Sequence, residues 1–154
     1  MRAELSWRGR SGLVETDGVP VATLYHAVSG ERAQVNIDGQ PWIMASARGE
    51  ISATDPARVP RHRAHRVGFL PRHWTANLDG RSVVHLESAG SRHWRLRNAE
   101  GTAVLGQVRV NGLFRPRVLA ELPDATSTDV AVFVLWLTFV LDRRRRNAAS
   151  GGGG

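Results

Sequence analysis

The chain has 154 residues and a net charge of +7, its 21 basic residues are all arginine, and it has no cysteine. That length is enough for one domain with a real core. The missing cysteine excludes disulfides, thiolate metal sites and thiol nucleophiles, and the missing lysine excludes a phosphate-loop lysine or a Schiff base. Excess positive charge argues for affinity to anionic surfaces and says nothing about fold. The absence of lysine beside abundant Ala, Gly and Val reads as compositional bias, so the choice of arginine is not itself a functional signal. Met1 to Arg10 is polar, with Arg2, Glu4, Arg8 and Arg10, and lacks a signal-peptide pattern. The expectation is a reducing, cytoplasmic setting, peripheral to the inner face of the membrane.

In chain order, Glu4–Arg8 and Gly12–Thr16 are short alternating segments joined by a Gly-containing turn. Asp17-Gly18, Asp38-Gly39 and Asp79-Gly80 are hairpin signals. Strand patterns flank them at Val19–Ala27, Arg32–Ile37, Gln40–Ala47, Glu50–Ala53 and Ser82–Glu87. Ser29-Gly30 turns the chain between the first two of these. Thr54–Arg66 breaks the rhythm at Asp55-Pro56 and Val59-Pro60 and reads as a loop. Strand character resumes over Val67–Leu78, interrupted at Pro71. His93–Arg97, Ala103–Val110 and Leu113–Leu122 follow, separated by turns at Glu100-Gly101 and Asn111-Gly112.

The last element is different in kind. Val130 to Leu141 carries no charge, and Thr138 is its only polar residue. No face of a helical wheel is hydrophilic, so the helix must be buried all round or lie in a membrane. Its apolar run spans roughly 18 Å, short of the ~30 Å bilayer core. The reading is a central plug, with Val130, Phe133, Val134, Trp136, Leu137, Val140 and Leu141 as its core residues. Thr126 and Asp129 match a capping box, and Arg143–Arg146 oppose the negative helix end. Boundaries are placed at 3–122 for the strands and 127–145 for the helix, in one domain of residues 1–146. Residues 147–154 are expected to be a disordered tail.

About ten to twelve short strands before one apolar helix give a mainly β chain, an antiparallel meander closed or nearly closed. A helix is ~10–12 Å across with its side chains, whereas an eight-stranded barrel is filled by its own. More strands are needed to enclose a helix, and the count is about right. Trp7, Trp42, Trp74, Trp94 and Trp136 are assigned to core or rim.

Repeated strand–acidic-residue–Gly–strand units resemble the tubby C-terminal-like barrels, a group with LURP-one-related proteins and phospholipid scramblases. The residues carrying the resemblance are Trp94–Val110 with Glu100-Gly101, and Leu122-Pro123-Asp124 followed by Val130–Leu141. It spans most of residues 3–146 and implies a roughly twelve-stranded barrel around a central hydrophobic helix. Tubby proteins bind phosphoinositide head groups through basic residues, and no motif here maps onto those residues. The cysteine-rich and calcium-binding segments of scramblases have no counterpart.

No nucleophile elbow, phosphate-cradling loop or His-Glu-x-x-His motif is present, so a non-catalytic binding module without cofactor is expected. His62, His65 and His73 have few carboxylates near them in sequence, so no metal site is assigned. The most suggestive stretch is 58–73, with five arginines, three histidines and no acidic residue. Arg58, Arg61, His62, Arg63, His65, Arg66, Arg72 and His73 are the candidate anion ligands. The expected partner is an anionic phospholipid surface or a protein, engaged by a monomer. Two alternatives stand beside this. One is a nucleic-acid-binding barrel with Trp74 as a stacking aromatic. The other is a tethered protein whose C-terminal helix sits in lipid, with Arg143–Arg146 on the cytoplasmic side.

Overall fold

A computed structural model describes residues 1–27, 31–67 and 73–151. Arg72 and the Ser29-Gly30 turn lie outside the described residues. The chain forms strands β1 (Arg2–Arg8), β2 (Ser11–Thr16), β3 (Val19–His26), β4 (Arg32–Ile37), β5 (Gln40–Ala47) and β6 (Glu50–Thr54). Then come β7 (Pro60–Arg66), β8 (His73–Leu78), β9 (Ser82–Gly90), β10 (His93–Arg97), β11 (Val104–Asn111) and β12 (Arg117–Glu121). A single helix, α1 (Thr128–Gly151), follows. Every strand pairs antiparallel with its sequence neighbours, and β12 closes on β1, Arg2 opposite Glu121 and Ser6 opposite Arg117. The result is a closed, mainly β barrel of twelve strands with one C-terminal helix, as the sequence pattern implied.

The alternation of each strand sorts its side chains. Leu5 and Trp7 of β1, Leu24 of β3, Val35 and Ile37 of β4, Leu86 of β9 and Val108 of β11 point inward and are buried. Helix α1 runs up the axis, and Ala131 to Asp142 are all buried. Those residues span roughly 18 Å of helix. Small inward residues make room for it: Ala3, Ala22, Ala33, Ala53, Ala64, Ala76 and Ala120 are all buried on the barrel wall. Trp136 and Phe133 are the largest fully enclosed side chains, and Trp136 meets Trp7 and Phe139 at ring distances of 6.4 and 5.7 Å. Thr138 Oγ1 donates to the Val134 carbonyl at 2.9 Å, which satisfies the one hydroxyl on the plug. Val130 is half-buried at the edge of this core. Among the described residues no helix is long and apolar enough to cross a membrane.

Several boundaries differ from the sequence reading; residues 113–116, expected as strand, form the turn ahead of β12. Residues 60–66, expected as loop, are β7, because His62 and Ala64 alternate inward while Arg61, Arg63 and His65 face out. The helix extends through Gly151 rather than ending near 145, so 147–151 are not a disordered tail. Its Asn-Ala-Ala-Ser segment carries no breaker to stop the helix. The first helical bond runs from Ala131 N–H to the Ser127 carbonyl at 3.0 Å. Ser127, not Thr126, is therefore the N-cap. Asp129 sits within the first turn, where its carboxylate serves β7 instead of a capping box.

Candidate anion-binding site

In a closed meander, successive turns fall at alternate ends of the barrel. The six turns at the end where α1 begins are 17–18, 38–39, 55–59, 79–81, 98–103 and 122–127. Each carries an acid: Asp17, Asp38, Asp55, Asp79, Glu100 and Asp124. At the opposite end, where α1 emerges, the turns 9–10, 48–49, 91–92 and 112–116 carry Arg10, Arg48, Arg92 and Arg115; the exceptions are Glu31 at this end and Arg58 and Arg81 at the other. Charge is therefore separated along the barrel axis.

The helix adds to the same end. Successive residues of an α-helix are ~100° apart, so four consecutive arginines radiate to four sides of the barrel mouth. Arg143 Nη1 reaches His26 Nε2 at 2.6 Å. Arg144 Nε donates to Glu31 Oε2 at 2.7 Å, and its guanidinium lies over the Trp74 ring at 5.6 Å. Arg145 Nη1 donates to Ser88 Oγ at 3.2 Å. Arg146 pairs with Asp142 Oδ2 at 2.9 Å, and Arg92 reaches the same buried carboxylate at 3.1 Å. Burial would raise the Glu31 carboxyl, but Arg144 outweighs it and holds the group below its ordinary range.

Two adjoining cavities open between this helix end and the barrel rim, of about 430 and 370 Å³. They share Arg66, Arg144 and Trp74, and His65, Ser88 and Arg145 complete their polar lining. Trp74 and Trp94 form an apolar floor beneath guanidinium groups. Such an arrangement suits an anion, because arginine forks bind phosphate oxygens bidentately. Among the described residues, no carboxylate pairs with Arg10, Arg48, Arg66 or Arg115. A larger groove of about 1120 Å³ lies on the outer wall over β1–β5, with Leu13, Tyr25 and Ile43 among its lining and Arg115 and Arg117 at its edge.

The stretch 58–73 is not one site. Arg58 lies in a turn at the acidic end, and Arg61 there is held by Asp79 at 2.8 Å. Arg63 faces outward on β7, 3.8 Å from Glu50. Among the described residues of the stretch, His65 and Arg66 line the cavities at the arginine-bearing mouth. His73 is half-buried against His85, at a ring distance of 5.2 Å.

His62, a candidate anion ligand from the sequence, is fully buried and does not serve as one. Its Nδ1 accepts from the Asp79 backbone N–H at 3.1 Å, so Nε2 carries the hydrogen and donates to Asp129 Oδ2 at 2.7 Å. The ring is sandwiched between Trp42 and Phe133, at 6.1 and 5.4 Å. The hydrogen bond from His62 holds the Asp129 carboxyl below its ordinary range. His62, Asp79 and Asp129 place their ligand atoms within 4.8 Å of one another, yet both ring nitrogens are committed to the protein. The trio ties the start of α1 to β7 and the β8–β9 turn, and is structural.

The candidate site residues that sequence reading missed are Arg10, Arg48, Arg115, Arg144 and Arg145 with Trp94. A signal for the first two was present: turn charge alternates with turn order, and turn order sets the end. No protein-family model matches this sequence, and no curated protein matches it.

Proposed function

We propose that the protein is a non-catalytic, tubby-like binding module whose arginine-bearing mouth takes anionic phospholipid head groups. The observation that carries this reading is the segregation of turn charge. Four described turns and four helix residues put arginine at one end, beside two cavities floored by tryptophan. Arginines without carboxylate partners cost nothing to retain at a surface and are free to meet phosphate. The nucleic-acid alternative loses its stacking aromatic, because Trp74 is buried and covered by Arg144. The lipid-inserted helix would have to leave a barrel that covers Ala131 to Asp142 on every side.

The test is co-sedimentation of the full chain with vesicles of phosphatidylcholine alone and with phosphatidylserine added. Binding is expected on the anionic vesicles only, weakening as salt rises. Replacing Arg10, Arg48, Arg66 and Arg115 by Gln should each remove about 1 kcal/mol of binding. Equal binding to neutral vesicles, or binding to an oligonucleotide and to no vesicle, would sink the reading.

A further inference from the structure

Leu113 and Phe114 are the two most solvent-exposed large apolar residues described, at 68% and 98%. They lie side by side in the β11–β12 turn, at the arginine-bearing end of the barrel. We infer that this pair is a wedge that enters the hydrocarbon edge of an anionic bilayer and seats the barrel mouth-down on it. The inference rests on the head-group reading above and adds what that reading lacks, an apolar anchor and an orientation.

The wedge is held in shape by its own turn. Gly112 has φ +82°, and a Cβ there would lie 2.7 Å from the Arg115 carbonyl oxygen, so the turn closes tightly on itself. Pro116 then fixes the exit into β12. On the inner side, Arg146 Nη1 reaches the Leu113 carbonyl at 3.5 Å. Phe114 rims a cleft with Arg10, His26 and Arg143. An apolar tip ringed by cations matches a bilayer whose anionic head groups overlie hydrocarbon. A second copy of the same face does not suit it, because arginine would meet arginine. The acidic turns lie at the far end of the barrel and point away from the membrane in this orientation.

The experiment compares the full chain with Phe114→Ser and with Leu113→Ser/Phe114→Ser, which change no charge. Vesicles carry phosphatidylserine, at low and at raised salt. The double variant should bind about tenfold more weakly at raised salt, where the apolar contribution dominates, and should lose less at low salt. Its thermal melt should match the parent, since both side chains are already in water. A Phe114→Trp variant should be quenched by vesicles with brominated acyl chains. If the parent binds and the serine variants bind equally well, the wedge is overturned and the head-group reading survives. If the parent binds no anionic vesicle, the head-group reading fails first and the wedge falls with it.

Discussion

The two ends of the barrel use one backbone turn and opposite charges. Asp17-Gly18 and Asp38-Gly39 have φ of 48° and 81° and of 51° and 78°. Arg48-Gly49, at the other end, has 54° and 79°. Aspartate enters the left-handed region readily, whereas arginine pays for it. Arg92 at this end and Arg58 at the acidic end are left-handed too, with φ of 55° and 65°, so the turn geometry alone does not select the charge. The acidic end also uses its carboxylates for structure: Asp55 Oδ1 accepts from Val59 N–H at 2.9 Å, Asp79 holds Arg61, and Asp129 holds His62. The arginine-bearing end leaves several cations without such partners. Asp142 and Glu31 apart, the acidic end is the fastening end, and on the head-group reading proposed above the other is the one left to a ligand.

That contrast can be broken most severely at Asp142, the one aspartate on the wrong end. It is buried between Arg92 and Arg146. Asp142→Ala should cost about 2–4 kcal/mol in urea unfolding, because two guanidinium groups lose their shared carboxylate. Next, His62→Ala should cost about 2–3 kcal/mol through a cavity and an unpaired Asp129. Vesicle binding by the folded fraction should be unchanged, since His62 belongs to the fastening end.

A smaller effect separates the ends by pH. His26 donates from Nδ1 to the Ala27 carbonyl at 2.5 Å and accepts from Arg143 at Nε2. Burial pushes its pKa below the ordinary 6.5, the Ala27 contact opposes this, and Arg143 and Arg10 reinforce it; Glu31 pulls the other way. The unfolded chain then takes up the proton first as pH falls. Stability should decline below about pH 6.5 until the folded pKa is passed, and His26→Gln should flatten that slope in unfolding measured across pH. The smallest effect is the sharpest contrast: Arg48→Asn should raise stability by about 0.5–1 kcal/mol by relieving the left-handed arginine, while weakening vesicle binding. A variant that gained stability and kept full binding would remove Arg48 from the site.

Much of the fold was legible in the sequence. Alternation located most strands, Asp-Gly pairs located three of their turns, and twelve residues without a charge announced a buried helix. Strand β7 was not legible, because its inward residues are His62 and Ala64 and its neighbours are arginines. A buried histidine shows in sequence only as a polar residue. The site was less legible still. Reading 58–73 as one set of anion ligands grouped residues that the fold distributes between both ends, the outer wall and the core.

By itself, then, the sequence determined most element types, the antiparallel meander and the plug, because each follows from a local period or an uncharged apolar run. Only the tertiary structure decided where charge collects. The end at which a turn lies depends on the parity of every strand before it. One unrecognised strand reverses the assignment of all later turns, so Arg92, Arg115 and Arg143–Arg146 join Arg10 and Arg48 at one mouth only once the barrel is closed.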